Sequence, residues 1–152
     1  MDAVERRLAA LAAEPVPDGL TEPDPDTGER WSAGQVWGHM AEFVPYWTGV
    51  VRIVVAGGSV DPVPFGRASS DPGRLAGIER GKREQPRRLM AEIQQAVAEL
   101  PELFEAIDAG GRAARGRHVA QGDMDVERIV DQFLIGHLEG HATQLDLLRE
   151  SR

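Results

Sequence analysis

Hydrophobic residues recur at steps of three and four positions in four stretches of the chain, a spacing typical of amphipathic helices. The first predicted helix runs from about Asp2 to Ala13 and the second from Ser32 to about Ala56. A third begins at Asp71-Pro72 and reaches about Ile107, and a fourth runs from near Asp125 to near Arg149. No stretch alternates apolar and polar residues as a half-buried strand does. The pattern therefore predicts an all-α fold, a bundle of helices around one core.

Capping and helix-breaking residues mark where the second helix begins and ends. Ser32, followed three residues later by Gln35, fits a capping box at the amino end. Pro45 lies inside the helix, where its ring removes a backbone hydrogen bond and predicts a kink. The Gly57-Gly58 pair is expected to end the helix.

The fourth helix carries the clearest apolar stripe in the chain, and two histidines interrupt that stripe. Its predicted inward positions are Val126, Ile129, Val130, Phe133, Leu134, His137, His141, Leu145 and Leu148.

Prolines and glycines define the remaining boundaries. Pro86 and Pro101 are expected to divide the third helix into two or three pieces. The acidic, proline-rich segment Glu14–Arg30 is interpreted as a surface connector, and Ser59–Asp71 as a loop. Gly110–Gly122, rich in glycine and arginine, is expected to be a turn or mobile loop.

Composition narrows the class of protein. The chain of 152 residues fits a single domain, taken here as residues 1–152, and it contains no cysteine, which excludes disulfides and thiolate ligands. Its net charge of −8 argues against binding to nucleic acid. We see no signal peptide, and the longest apolar stretch, Val50–Ala56, is too short to cross a membrane. We therefore expect a cytoplasmic protein that binds no membrane.

Basic residues are concentrated at the start of the third helix. This cluster leaves two interpretations open, a solvated helix face or a patch that binds an anionic group. Its members are Arg74, Arg80, Lys82, Arg83, Arg87 and Arg88.

Three of the four histidines lie on predicted inward helix faces. His137 and His141 are four residues apart, so their imidazoles project from one face and are able to bind the same ion. His39 lies on the apolar face of the second helix. If the two helices are neighbours, the three imidazoles meet in the core and form a divalent-metal site.

The alternative is that these histidines are ordinary core residues whose ring nitrogens bond to carbonyls or carboxylates. Two adjacent buried imidazoles would then need several separate partners in a dry interior, which is costly. Glycines beside the histidines, Gly38, Gly136 and Gly140, either permit close approach of a helix or of the metal ligands or reflect a glycine-rich composition.

Other polar residues near the histidines have more modest predicted roles. Glu139 lies about 200° around the helix from His137, so it cannot act as the base of a zinc protease. Glu42 either orients His39, acts as a base or forms an exposed salt bridge. His118 is interpreted as a solvated loop residue.

In two segments that contain these histidines, the sequence resembles a known family, the DinB/YfiT-like metalloprotein superfamily. The segment Trp31–Met40 resembles the family's Trp-Ser pair followed by a helical histidine, here His39. The segment Gly136–Leu145 resembles its terminal helix, with two histidines four residues apart and a trailing Gln-Leu. Order, separation and overall length agree, although only these two segments are specific.

The resemblance implies an up-down-down-up four-helix bundle in which His39, His137 and His141 bind zinc, nickel or another divalent ion. It also implies a homodimer. Some members resemble transferases or isomerases, such as maleylpyruvate isomerase, that use mycothiol or another low-molecular-weight thiol as cosubstrate. Some of those thiol-dependent relatives carry a carboxylate where this chain has His137.

These features support a metal-dependent enzyme acting on a small-molecule substrate, with a thiol transferase or isomerase favoured. The alternative function is a non-catalytic ligand-binding or structural dimer whose metal site is vacant.

Overall fold

The chain folds into helices joined by one small sheet, in a computed structural model that describes residues 1–25, 27–57 and 61–150. The helices are α1 Asp2–Ala13, α2 Ala33–Gly57, α3 Pro72–Gly81, α4 Pro86–Ala98, α5 Leu100–Glu105, α6 Ala109–Arg112, α7 Val126–Val130 and α8 Gly136–Glu150. A π-helical segment, Asp131–Ile135, joins α7 to α8. The strands are β1 Val63–Phe65, β2 Arg115–His118 and β3 Gly122–Asp125.

Local sequence signals explain where α2 begins. The Ser32 backbone N–H donates to Gln35 Oε1 at 3.0 Å, and the Gln35 N–H donates back to Ser32 Oγ at 3.4 Å, which confirms the predicted capping box. The helix continues through Pro45 and ends at Gly57. Gly58, the second residue predicted to end it, lies outside the described residues.

The third predicted helix is divided at the two expected prolines. Asp71 caps α3, its side chain accepting from the Arg74 N–H at 2.9 Å, with Pro72 at the first helical position. Pro86 opens α4, and Pro101 lies in the first turn of α5. Proline is tolerated there because the first N–H groups of a helix have no intrahelical partner.

The small sheet corrects the all-α prediction: the chain is mostly helical but not exclusively so. Strand β1 pairs in parallel with β2, with Phe65 opposite His118, and β2 pairs antiparallel with β3. The segment Gly110–Gly122, expected to be a turn or loop, therefore contributes α6, β2 and the start of β3. These strands have three or four residues, too few for alternation to be recognised.

The last predicted helix is continuous but irregular. It begins near Asp125, as predicted, and the Asp125 side chain caps it by accepting from the Arg128 N–H at 2.8 Å. Over Asp131–Ile135 the chain is π-helical, and the Gly136 N–H donates to the Asp131 carbonyl five residues earlier. Leu138 and Ala142, which were not on the predicted stripe, are buried as well.

Helix α2 is the centre of the packing. It contacts α3, α4 and α8, while α1 packs against α4 and α8. The fully buried side chains include Leu8, Phe43, Leu89 and Leu145, one from each of α1, α2, α4 and α8. Across the described ranges, none of the helices has the length and apolar character that a membrane crossing requires.

The acidic segment before α2 is more than a surface connector. Most of its described residues are exposed, but Thr21 is buried. The Thr21 N–H donates to the Trp31 carbonyl at 2.8 Å, and the Trp31 N–H donates to Thr21 Oγ1 at 3.0 Å. This pairing fixes the segment across the amino end of α2.

Candidate metal centre

The three predicted histidines meet where α2 and α8 pack together. The ring centroid of His39 lies 5.4 Å from that of His137 and 5.1 Å from that of His141. The centroids of His137 and His141, one helical turn apart, are separated by 4.7 Å. One nitrogen from each ring lies within 4.8 Å of one from each of the others, close enough for a single divalent ion to bind all three.

Burial keeps this cluster uncharged. His39 is 3% exposed and His141 is 6% exposed. Desolvation, which penalises the charged imidazolium, lowers the pKa of His137 to about 3 and that of His141 to about 4. The pKa of His39 is lowered further by burial and then by the charges of its two histidine neighbours. Neutral imidazoles present the lone pairs that metal binding requires.

Neighbouring acceptors set the orientation of two of the rings. The Gln144 Oε1 lies 2.7 Å from His141 Nδ1, which places the proton on Nδ1 and leaves Nε2 with a lone pair. The backbone carbonyl of Phe133, in the π-helical segment, raises the pKa of His137, because it favours a protonated nitrogen on this ring. Acceptors of this kind commonly orient metal-binding histidines and increase their basicity.

Two nitrogens of the cluster have no hydrogen-bond partner in the part of the chain that the structure describes. Within the described residues, the buried side-chain nitrogens without a hydrogen bond are His39 Nδ1, His141 Nε2 and Trp47 Nε1. A polar atom left unpaired in a dry interior is costly, and most such atoms in native proteins are satisfied. A divalent ion held by imidazole nitrogens suits this set of donors.

Aromatic rings enclose the histidines. Phe43 stacks on His137 with centroids 4.2 Å apart and planes 10° apart. Trp31 contacts His39 edge-on at 5.0 Å and stacks on His141 at 5.9 Å. These apolar faces exclude water from the inner side of the cluster, which explains the depressed pKa values and strengthens electrostatic interactions there.

A cavity of about 270 Å³ opens beside the three histidines. This volume is near the lower end for small-molecule sites, so it suits a small ligand or one end of a larger one. Arg67 and Arg74 line it with side chains only 10% and 12% exposed. Both are held by carboxylates, Arg67 by Glu42 at 2.6 and 2.7 Å and Arg74 by Glu29.

The other candidate residues fall mainly outside the histidine cluster. Glu42 forms a salt bridge with Arg67, so the salt-bridge interpretation is supported, although the pair is partly buried. Glu139 is exposed, in agreement with its predicted position away from the metal side.

The basic cluster proves to be mostly a paired, solvated face. Arg80, Lys82, Arg83 and Arg88 form ion pairs with glutamates, and Arg87 donates to the Ala13 carbonyl at 2.9 Å. Arg74 differs because it lines the cavity, with its guanidinium 5.2 Å from the Trp31 ring.

Several cavity residues were missed or assigned another role from the sequence. His118, interpreted as a solvated loop residue, lies on β2 and lines the cavity. Arg67 and Thr21 were not singled out, because an isolated arginine or threonine in a loop carries no local signal. Phe133 was recognised only as a member of the apolar stripe of the fourth helix.

Comparison with known proteins agrees with this geometry. A family model described as the DinB superfamily matches residues 1–145. No curated protein and no solved structure matches the chain significantly. The family match covers nearly the whole chain, and this protein belongs to the DinB superfamily.

Proposed function

We propose that this protein is a metal-dependent enzyme whose divalent ion, zinc or nickel, is bound by His39, His137 and His141. The observation that supports this most strongly is a pair of buried nitrogens, His39 Nδ1 and His141 Nε2, that have no hydrogen bond among the described residues and belong to one cluster of three imidazoles. A structural role alone would leave both atoms unsatisfied in a dry interior.

The proposed activity is a thiol-dependent transfer or isomerisation, with mycothiol or another low-molecular-weight thiol as cosubstrate. An ion bound by three neutral imidazoles keeps its full charge and an open position, which lowers the pKa of a thiol or water that binds it. Gln144 and the Phe133 carbonyl hold two of the ligands in place, while Trp31 and Phe43 keep water away. The cavity admits the thiol end of the cosubstrate and a small electrophile.

We further propose the family's up-down-down-up bundle, with α1, α2, α4 and α8 as its four helices, assembled as a homodimer. Support for the bundle comes from the contacts of α2 with α4 and α8 and of α1 with the same two helices. Light scattering of the purified protein is expected to give twice the chain mass.

Metal content tests the proposed site directly. Protein purified without a histidine tag is expected to contain about one divalent ion per chain, and the His137→Ala/His141→Ala double variant almost none. His118→Phe is a matched control, because it removes a histidine from the same cavity but outside the cluster, and it should retain the metal. Equal, near-zero metal in the wild type and the double variant would refute the proposal.

A substrate screen tests the activity. We expect turnover when a low-molecular-weight thiol and electrophilic substrates are supplied together, and its loss in His39→Ala protein. Thiol turnover that persists after removal of His39 would contradict a role for the metal ligands, even if the metal is bound.

A further inference from the structure

The cavity has a second wall, outside the histidine cluster, made of three aromatic residues, two of which carry a ring N–H group. Trp47, Phe133 and His118 all line the cavity. Phe133 contacts both of the others, with ring centroids 4.6 Å from Trp47 and 5.0 Å from His118. We use the term aromatic wall for these three residues.

His118 is held in one orientation by the small sheet. Its strand neighbour in β1 is Phe65, whose ring lies 5.3 Å from the imidazole. The ring edge carrying Cδ2 and Nε2 lies against Gly66, where a Cβ would approach these atoms to 2.9 and 3.0 Å. Gly66 also has a φ of 111°, a conformation that favours glycine, so the backbone leaves the space that the imidazole occupies.

The protonation of His118 makes its free nitrogen a donor. The Ala120 N–H donates to His118 Nδ1 at 3.3 Å, so in the neutral ring the proton is on Nε2. Burial lowers the pKa of His118, which favours this neutral form at neutral pH. In the described part of the chain, no acceptor bonds to Nε2.

Trp47 supplies a second donor without a partner. Its side chain is 6% exposed, and its Nε1 is the third buried nitrogen that has no hydrogen bond among the described residues. Buried indole N–H groups usually find an acceptor. The cavity therefore combines lone-pair donors at the histidine cluster with N–H donors at the aromatic wall.

We propose that the aromatic wall binds the oxygen-bearing end of the ligand, a carbonyl or carboxylate group, with His118 Nε2–H and Trp47 Nε1–H as the hydrogen-bond donors. The ligand that follows from this arrangement has two functional ends: a group that binds the metal and an oxygen acceptor a few bonds away. This inference rests on the proposed metal site and specifies the class of molecule that the site accepts.

Matched thiols bound to the cobalt-substituted protein test this inference. The probes are 3-mercaptopropionate, 3-mercaptopropionamide and 3-methyl-1-butanethiol, which have similar shapes but end in a carboxylate, an amide and an alkyl group. The three homologues with one more methylene group are measured as well. Binding is followed by the visible absorption of Co²⁺, so no turnover is needed. Comparing the affinities of the acid and the amide shows whether the natural acceptor is a carboxylate or a carbonyl group.

In the wild type, oxygen-bearing thiols of at least one length should bind roughly tenfold tighter than the alkyl thiol of the same length, the gain expected from hydrogen bonds to an acceptor. Apolar walls alone would favour the alkyl thiols instead. His118→Phe keeps an aromatic ring against Phe65 and Phe133 but removes the N–H, and should lose most of this preference. His118→Gln restores a donor and should recover part of it.

The outcomes distinguish this inference from the proposed function. If Co²⁺ binds and all thiols change its spectrum without any preference for oxygen, the metal site stands and the role of the aromatic wall is refuted. A preference that survives in both His118→Phe and Trp47→Phe also refutes it. If Co²⁺ does not bind at all, both proposals fail. The wild-type comparison needs no variant, so a variant that fails to fold does not affect it.

Discussion

The two faces of helix α2 differ in how they pack against neighbouring helices and in whether their polar atoms are hydrogen-bonded. Gly38 faces α3, where a Cβ would overlap the Gly77 carbonyl oxygen and lie 2.6 Å from the Gly81 Cα. The next residue, His39, faces α8, and its Nδ1 has no hydrogen bond to any residue that the structure describes. One face is packed backbone against backbone, whereas the other contains unpaired polar atoms beside a cavity of about 270 Å³.

This contrast separates stability from function within one helix. The glycine face is packed by backbone groups and by the methylene groups of Glu42, whose carboxylate is held by Arg67, so a purely structural role explains it. The histidine face includes buried polar atoms that a stability-optimised core would replace with apolar side chains. Sites that violate packing rules in this way are expected to be functional.

The largest expected effect is on the glycine face. Gly38→Ala places a methyl group where the α3 backbone already lies, so the helices must separate. We expect a loss of about 3 kcal/mol in the free energy of unfolding, the upper end for overpacking. Urea unfolding followed by far-ultraviolet circular dichroism measures it.

Gly49→Ala provides the matched control on the same helix. No atom lies within 4 Å of a Cβ built there, so alanine should stabilise α2 by about 0.5 to 1 kcal/mol through helix propensity. Equal effects of the two substitutions would show that the close approach of α2 and α3 is not what requires glycine at position 38.

A smaller effect, on metal affinity, is expected when the residue that orients His141 is replaced. Gln144→Leu removes the acceptor 2.7 Å from His141 Nδ1 and leaves the α2–α3 contact untouched. Loss of such an orienting partner lowers metal affinity by roughly ten- to a hundredfold. Competition with a chromophoric chelator measures the affinity, and Gln144→Glu should preserve it. Unchanged affinity in the leucine variant would argue against this assignment of the ligand atom.

The histidine face should also make the metal-free protein sensitive to acid. The pKa of His141 is about 4 in the folded chain and about 6.5 when unfolded, so below pH 6.5 the unfolded state binds more protons. Stability is therefore fully present above that pH and decreases as the pH falls towards 4, by up to about 1.4 kcal/mol per unit for this residue.

His141→Leu removes this contribution, so its unfolding free energy should fall less steeply than that of the wild type between about pH 6.5 and about pH 5. Urea titrations of the chelator-treated proteins give both slopes. Parallel slopes would mean that His141 is not held neutral by burial.

The helices and the histidine cluster were predictable because their signals are local. Caps such as Ser32 and Asp71 act on residues within one turn, and His137 and His141 share a face by helical spacing alone. Joining them to His39 required the family resemblance, because spacing along the chain does not state which helices are neighbours.

The missed features depend on contacts between distant residues. Strand β1 pairs with β2 across some fifty positions; β1 has only three residues, one of them Pro64, and β2 contains no β-branched residue. The role of His118 follows from that pairing, so it could not be predicted. The π-helical segment adds one residue to a turn, which periodicity does not reveal.

The smallest expected effect tests whether the glycine that precedes a histidine has the same structural role on α8 as on α2. Gly140 precedes His141 as Gly38 precedes His39, yet a Cβ at Gly140 meets no atom within 4 Å. Gly140→Ala should therefore raise the free energy of unfolding by up to about 1 kcal/mol and leave metal affinity unchanged. Thermal unfolding and the chelator competition measure the two quantities on the same samples. A loss of metal affinity would mean instead that the ligands need glycine there, and that the histidine face is as tightly constrained as the glycine face.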